Sequence, residues 1–108
     1  MGSEKKNNKS RKFFITTNNY SEADWMYSVD AIEECSYGLT CKEVASTGTP
    51  HLHTWLHYKN ERSWKKIQKR FPRSDVQVGM GSDEDQKYLK KDGNFVEYGI
   101  MSKQVFRS

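Results

Sequence analysis

Apolar and polar residues recur along this chain with two different periods, which together predict five strands and three helices. Segments rich in β-branched and aromatic residues predict strands at 13–18, 39–46, 51–58, 75–80 and 95–99. Alternation is clearest in the third segment, whose two faces hold His51, His53, Trp55 and His57 on one side and Leu52, Thr54, Leu56 and Tyr58 on the other.

Apolar residues at helical spacing occupy three of the segments between these strands. The predicted helices run from Ser21 to about Glu34, from Asn60 or Ser63 to about Arg70, and from Ser82 to about Lys91. The first and third begin with a sequence that resembles a capping box, with Asp in place of Glu or Gln. The expected buried positions are Trp25, Val29 and Ile32 in the first helix and Trp64, Ile67 and Phe71 in the second.

The resulting order is β-α-β-β-α-β-α-β, with short connections and no internal repeat. This order predicts an α+β fold, in which a mostly antiparallel sheet of about five strands is flanked by helices. The length of 108 residues is that of one domain, and aromatic residues at 13% of the chain can supply its core despite a mean hydropathy of −0.98.

Composition excludes several classes of protein. No run of 18 apolar residues occurs, so no membrane-spanning helix is predicted, and the first twelve residues hold no apolar signal segment. Cys35 and Cys41 are too few for a disulfide framework or a four-cysteine zinc site, and we interpret them as ordinary reduced thiols.

Charge is distributed unevenly along the chain, although the net charge is only +4. Residues 1–12 and 59–73 are strongly basic, whereas residues 20–34 carry five acidic groups and no basic one. Residues 1–11 are predicted to be a flexible basic arm, and residues 12–108 one folded domain. Such basic strips are typical of polyanion-binding surfaces, and the alternative is a solvated helix face that binds nothing.

A candidate metal site follows from the strand at 51–58. Because alternate side chains of a strand point the same way, His51 and His53 project from one face and lie close enough to share a divalent ion. Antiparallel pairing across the turn at 47–50 brings Glu43 towards them, which would complete a two-histidine, one-carboxylate set. His57 lies about 13 Å from His51 along an extended strand, and we interpret it as solvent-facing or hydrogen-bonded.

A candidate nucleophile lies on the third predicted helix. Tyr88 and Lys91 are three residues apart and share a helix face. An ammonium near a phenol favours the phenolate, and a divalent ion on a phosphate offsets charge in the transition state. These parts together suit phosphotyrosine transesterification. The alternative is a half-buried tyrosine beside a solvated lysine.

Three motifs in this order resemble those of the replication-initiator (Rep) endonucleases of small circular single-stranded DNA viruses. That group includes the circoviruses, nanoviruses and geminiviruses, and it lies within the HUH endonuclease superfamily. The first motif, usually FTLNN, corresponds to ITTNN at 15–19, with Ile and Thr as departures. The second is PHLH at 50–53, and the third is YLKK at 88–91, followed by DGN. The match covers residues 12–99.

The resemblance implies an RRM/ferredoxin-like HUH endonuclease fold and a role for each motif. His51 and His53 would be metal ligands for Mn²⁺ or Mg²⁺, with Glu43 as the third and with Glu97, Glu84 and Asp85 as poorer candidates. Tyr88 would be the catalytic nucleophile and Lys91 its helper. The DNA-binding candidates are Arg11, Lys12, Thr16, Asn18, Asn19, Lys65, Lys66, Lys69 and Arg70. Trp55 is either a wall of the site within the core or a platform on which a base stacks.

The implied activity is nicking of a rolling-circle replication origin at its single-stranded loop. Tyr88 would become linked to the 5′ phosphate, and the freed 3′-OH could later reseal the strand. The implied partners are the DNA of the origin stem-loop and, in the whole protein, a C-terminal helicase domain and further copies, whereas the isolated domain is expected to be a monomer. No Walker-type loop occurs in these 108 residues, so we expect no ATP use by them. The implied location is the host nucleus.

Three alternatives remain open at this point. A non-catalytic RRM-like domain that binds single-stranded nucleic acid would share the sheet, the basic surface and the aromatic residues. A plasmid or mobile-element HUH initiator would share the chemistry. A metal-dependent hydrolase, in which Tyr88 is structural, would release nicked DNA without a protein-linked product.

Overall fold

A five-stranded antiparallel sheet forms the centre of the molecule in the computed structural model, which describes residues 8–101. The elements are β1 (Lys9–Asn18), α1 (Glu22–Ile32), β2 (Tyr37–Val44), β3 (Pro50–Ser63), α2 (Trp64–Arg70), β4 (Asp75–Val78), a 3₁₀-helix (Glu84–Lys90) and β5 (Phe95–Gly99). The strand order is β4-β1-β3-β2-β5, and each neighbouring pair is antiparallel. The predicted α+β class and element order are confirmed.

The two faces of the sheet are covered by different elements. Helices α1 and α2 pack on the face that carries Phe13, Ile15 and Leu56, where they enclose the larger apolar cluster. The 3₁₀-helix lies on the opposite face, where its Leu89 packs with Trp55 in a second cluster. The sheet therefore separates α1 and α2, which cover one face, from the short helix that carries Tyr88 on the other.

Helix starts follow the predicted caps, with one correction. Ser21 and Asp24 form a reciprocal capping box at the start of α1. Ser63 caps α2, and its hydroxyl accepts from the amide of Lys66 at 3.3 Å. The alternative cap, Asn60, was wrong because β3 continues through it to Ser63.

The buried face of α1 also differs from the prediction. Ser28, Ala31 and Ile32 are buried, whereas Trp25 and Val29 are only partly covered. Small residues at 28 and 31 let the helix approach the sheet closely, and the partly covered Trp25 ring lies under the Lys42 ammonium, 4.5 Å from it.

Strand β2 begins at Tyr37, two residues before the predicted start, because Gly38 is a strand residue and not part of a turn. A Cβ atom at position 38 would lie 2.4 Å from the Ile32 Cβ, so only glycine lets α1 pack this closely. Strand β1 likewise begins earlier than predicted, at Lys9, and β4 ends earlier, at Val78.

The third helix is a 3₁₀-helix of seven residues. Ser82 and Asp85 form the predicted reciprocal hydrogen bonds at its start. Residues 1–7 of the predicted basic arm lie outside the described range, and residues 9–11 belong to β1. Among residues 8–101, no helix has the length and hydrophobicity needed to cross a membrane.

Candidate active site

Glu43, His51 and His53 converge at one end of the sheet, on the face that carries the 3₁₀-helix. Glu43 is the register partner of His51 across β2 and β3, and His53 lies two residues further along the same face. One oxygen of Glu43 lies 3.4 Å from Nε2 of His51 and 3.3 Å from Nε2 of His53. One ligand atom from each residue lies within 4.8 Å of the others, so the three could hold one metal ion.

The second nitrogen of His53 faces Thr16. The Thr16 hydroxyl lies 3.5 Å from His53 Nδ1, and the two residues are register partners on β1 and β3. The Phe14 ring stacks on the imidazole, with 5.4 Å between centroids. Residues outside the trio thus orient His53, as is typical of metal-ligating histidines.

Electrostatics favour the protonation states that metal binding requires at His53 and Glu43. Burial lowers the pKa of His53 below its usual value, despite the opposing effect of Glu43. Burial also raises the pKa of Glu43, but His53 and Lys91 outweigh it, and the net pKa lies below the usual range. At neutral pH the site therefore presents a neutral imidazole beside a carboxylate anion. Two nitrogens and one carboxylate oxygen suit several divalent metals, so the donor set fits a metal without specifying which.

Cys41 is the register partner of His53 on β2 and is buried. Burial raises the pKa of its thiol to about 11. The residue is therefore a neutral thiol at physiological pH, as predicted from the sequence.

Tyr88 projects from the 3₁₀-helix on the same face of the sheet. Its side chain is 53% exposed and borders a cavity that Phe14, Trp55, Gln77 and Gln86 also line. Phe14 links this cavity to the metal trio, because the same ring stacks on His53. The Tyr88 side chain is thus accessible at the edge of an aromatic-lined recess that adjoins the trio.

Lys91 follows the 3₁₀-helix directly and contacts the trio. Its ammonium lies 3.3 Å from the second carboxylate oxygen of Glu43, the one that does not face the histidines. The hydrogen bond and ion pair with Glu43 raise the pKa of Lys91 above its usual value. The contact brings the end of the third motif against the metal site.

Trp55 is fully buried and also lines the Tyr88 recess, so it belongs to the core and to the wall of the site. Its indole N–H donates to Asp83 at 2.7 Å, and His57 Nδ1 lies 2.9 Å from the same oxygen. Of the two interpretations of His57, solvent-facing or hydrogen-bonded, the structure supports the second. Asp83 escaped the sequence analysis, since an Asp near a helix start is usually a cap.

The basic DNA-binding candidates are distributed over different surfaces. Arg11 and Lys12 line a concavity together with His57. Lys66 lines the adjoining concavity with Arg62, and Lys9 borders both. We call Lys9, Arg11, Lys12, Arg62 and Lys66 the basic groove. It forms where residues 58–61 of β3 bulge opposite Arg11, a local irregularity that sequence patterns do not reveal.

Other candidates lie elsewhere. Lys65 and Lys69 are exposed on α2, which packs on the face of the sheet opposite to the metal trio. Both terminal nitrogens of the Arg70 guanidinium donate to Glu34, which ties that side chain to the segment just after α1. Asn18 is exposed opposite His51, and Asn19 adopts a left-handed backbone with φ of 50°.

Comparison with known proteins finds similar viral proteins, each named replication-associated protein. That of Human associated cyclovirus 1 is 35% identical over 97 residues, which cover 86% of this chain and 35% of the viral protein. Those of Beak and feather disease virus and Pigeon circovirus are 30% and 32% identical over 91% and 87% of this chain, and over 35% and 31% of their own lengths. The chain spans about a third of the length of these curated relatives. No protein-family model matches it.

These similarities extend over most of the chain, and the three motifs lie on β1, β3 and the 3₁₀-helix of an antiparallel sheet with the predicted architecture. The chain therefore belongs with the Rep domains of circular single-stranded DNA viruses.

Proposed function

We propose that this chain is a metal-dependent endonuclease and strand transferase that acts on single-stranded DNA at a rolling-circle replication origin. The observation that supports this most strongly is the convergence of Glu43, His51 and His53 on the face that also carries Tyr88. The names of the similar viral proteins support a role in replication initiation.

Each residue of the site has a role in this proposal. Glu43, His51 and His53 would hold Mn²⁺ or Mg²⁺, and the ion when bound would polarise the scissile phosphate and offset its charge. Thr16 and Phe14 hold the ring of His53 in place. Lys91 pairs with Glu43 at 3.3 Å, where it compensates the carboxylate and adds positive potential beside a phosphate.

Tyr88 attacks the scissile phosphorus in the covalent step. Its phenolic oxygen loses a proton and forms a new bond to the phosphorus, while the bond from phosphorus to the 3′ oxygen breaks. The DNA 5′ phosphate is then esterified to Tyr88, and the released 3′ oxygen takes up a proton to become a hydroxyl. Because one phosphodiester replaces another, attack by a 3′-OH in the reverse direction can reseal DNA without ATP.

The basic groove would hold the DNA backbone, since its five cations outnumber Glu61, the acidic residue that lines both concavities, and an excess of cations attracts phosphates. Thr16, Asn18 and Asn19 lie at the metal end of the sheet, where they would be nearest to the scissile strand. The origin stem-loop as substrate, a C-terminal helicase domain in the whole protein, a host-nuclear location and a monomeric isolated domain remain part of this proposal.

The test is covalent capture of DNA. The protein is incubated with Mn²⁺ and a labelled pool of oligonucleotides that carry the family's origin nonanucleotide or a randomised centre, and products are separated on a denaturing gel. We expect a slowly migrating protein–DNA adduct. Tyr88→Phe should abolish both adduct and cleavage while DNA binding persists, and Tyr98→Phe, on the exposed strand β5, is the matched control that should behave like wild type.

Each other outcome overturns part of the proposal. Cleavage that persists in Tyr88→Phe excludes Tyr88 as the nucleophile, and cleavage without an adduct identifies a hydrolase. Binding without cleavage of any sequence in the pool identifies the non-catalytic nucleic-acid-binding domain.

A further inference from the structure

One buried carboxylate connects the helix of the nucleophile with the strand of the metal ligands. Asp83 immediately precedes the 3₁₀-helix and is 0% exposed. Its Oδ1 atom accepts from the Trp55 indole at 2.7 Å and lies 2.9 Å from His57 Nδ1, with the second oxygen 3.1 Å from the same nitrogen. An indole N–H can only donate, so Asp83 is an acceptor here.

Trp55 and His57, which both contact Asp83, come from the face of β3 that holds the metal ligands. His51, His53, Trp55 and His57 alternate along that face, and Trp55 and His57 lie two and four residues beyond His53. Tyr88 lies five residues after Asp83 on the helix. The hydrogen bonds to the Asp83 carboxylate therefore fix the start of the 3₁₀-helix on β3. The same strand carries His51 and His53.

The far end of the helix has separate attachments. Leu89 is buried in the apolar cluster beside Trp55. Lys90 pairs with Glu97 at 3.0 Å, and Lys91 pairs with Glu43 at 3.3 Å. These contacts hold the residues that follow Tyr88. The residues that precede Tyr88 are anchored to β3 by Asp83.

The helix does not need Asp83 to form. Its first turn is closed by the Ser82 and Asp85 cap, in which Ser82 N donates to Asp85 at 2.8 Å and Asp85 N donates to the Ser82 hydroxyl at 3.3 Å. Loss of the Asp83 side chain should therefore leave a helix that is capped but poorly docked, with two polar groups of β3 unpaired beneath it.

We propose that Asp83 is a positioning residue, which fixes the helix of Tyr88 on the strand of His51 and His53. The inference rests on the proposed function, because it takes Tyr88 as the nucleophile. Asp83 itself touches neither DNA nor metal in this arrangement; it acts through Trp55 and His57.

The test compares Asp83→Ala, Asp83→Asn and the control Glu84→Gln, which removes an exposed charge from the next residue. Three quantities are measured: the single-turnover rate of adduct formation at saturating oligonucleotide, the Kd for that oligonucleotide in the Tyr88→Phe background, and amide hydrogen exchange. Exchange reports on docking without requiring activity.

For Asp83→Ala we expect a rate lowered by about tenfold to a hundredfold with an unchanged Kd, as for a misplaced reacting group. Exchange should accelerate at residues 84–90 while the amides of β1 and β3 stay protected. Asp83→Asn keeps an oxygen that accepts from the indole, so its rate should lie between those of wild type and Asp83→Ala. Glu84→Gln should match wild type.

Three results overturn the proposal: an unchanged rate in Asp83→Ala, a Kd that weakens as much as the rate falls, or exchange that accelerates over the whole sheet. If Asp83→Ala does not fold, the variant His57→Gln is used, because it replaces one hydrogen-bond partner of Asp83 at a partly buried position. An unchanged rate of adduct formation together with unchanged hydrogen exchange in that variant also overturns the proposal. A wild-type protein that forms no adduct contradicts the proposed function instead, and the exchange data still report on the docking.

Discussion

The Thr16 hydroxyl lies 3.5 Å from Nδ1 of His53, on the side of the ring opposite to Glu43. This contact joins the first motif to the second, because the two residues are register partners on adjacent strands. Thr16, predicted to contact DNA, thus has a position from which it orients a metal ligand.

Thr16→Val keeps the shape and the strand preference of the side chain but removes its hydroxyl. We expect the variant to fold normally and to bind Mn²⁺ about tenfold more weakly, the usual cost of losing a group that orients a ligand. Isothermal titration with Mn²⁺ measures this. Thr16→Ser, which keeps the hydroxyl, is the matched control, and equal affinities of all three proteins would contradict the assignment.

Lys66 and Arg70 belong to the same basic helix but should differ in their effect on DNA binding. Lys66 lines the basic groove, whereas Arg70 is engaged by Glu34. Lys66→Ala should weaken binding of a labelled oligonucleotide and reduce the slope of log affinity against log salt by about one. Arg70→Ala should change neither. Fluorescence anisotropy at several salt concentrations, in the Tyr88→Phe background, tests both, and equal slopes for the two variants would contradict the proposed groove.

Gly38→Ala should destabilise the fold without touching the site. The added methyl group would lie 2.4 Å from the Ile32 Cβ, so α1 must shift away from β2. We expect the free energy of unfolding to fall by about 1–3 kcal/mol, as for overpacked cores, in urea denaturation. Ser46→Ala, in the exposed turn after β2, is the control and should unfold like wild type.

Tyr58→Phe and Tyr37→Phe should have opposite effects on stability. Among the described residues, the buried Tyr58 hydroxyl has no hydrogen-bond partner, and burial raises its pKa to about 12. The Tyr37 hydroxyl donates to Glu97 at 2.7 Å. Removal of the unpaired hydroxyl should raise the free energy of unfolding by about 1 kcal/mol, and removal of the paired one should lower it by about the same amount. Denaturant melts of the two variants decide this, and stabilisation by Tyr37→Phe would contradict the assigned hydrogen bond.

Glu97 should make the fold sensitive to acid. Burial raises the pKa of Glu97, but the hydrogen bonds from Tyr37 and Lys90 lower it by more. The pKa in the folded state therefore lies below the ordinary value of 4.5. A carboxyl with a lowered pKa stabilises the fold above the unfolded-state value, and this contribution is lost as the pH falls through the folded-state value. The Tm difference between wild type and Glu97→Gln should therefore be largest near neutral pH and shrink below about pH 4.5. A difference that is constant with pH would contradict the role of the ionised carboxylate.

The candidate metal site could be predicted from the sequence because every step of that prediction was local. Period-two alternation places His51 and His53 on one face, and a short turn brings Glu43 opposite them. The caps at Ser21 and Ser63 are local for the same reason, since each involves backbone within three residues.

Other features depended on contacts between distant segments. Gly38 looks like a turn residue until α1 packs against it, and only the packed structure shows that Glu34 accepts two hydrogen bonds from Arg70. Asp83 has the ordinary sequence context of a helix start, yet its hydrogen-bond partners lie 26 and 28 residues away on β3.

By itself, the sequence determined which residues are candidates for the chemistry and on which elements they lie, because side-chain periodicity and caps follow from neighbouring residues alone. Only the tertiary structure decided how the third motif is seated on the sheet, which cations form the basic groove and which are held in ion pairs. Asp83, for example, becomes buried only when the 3₁₀-helix has packed against β3.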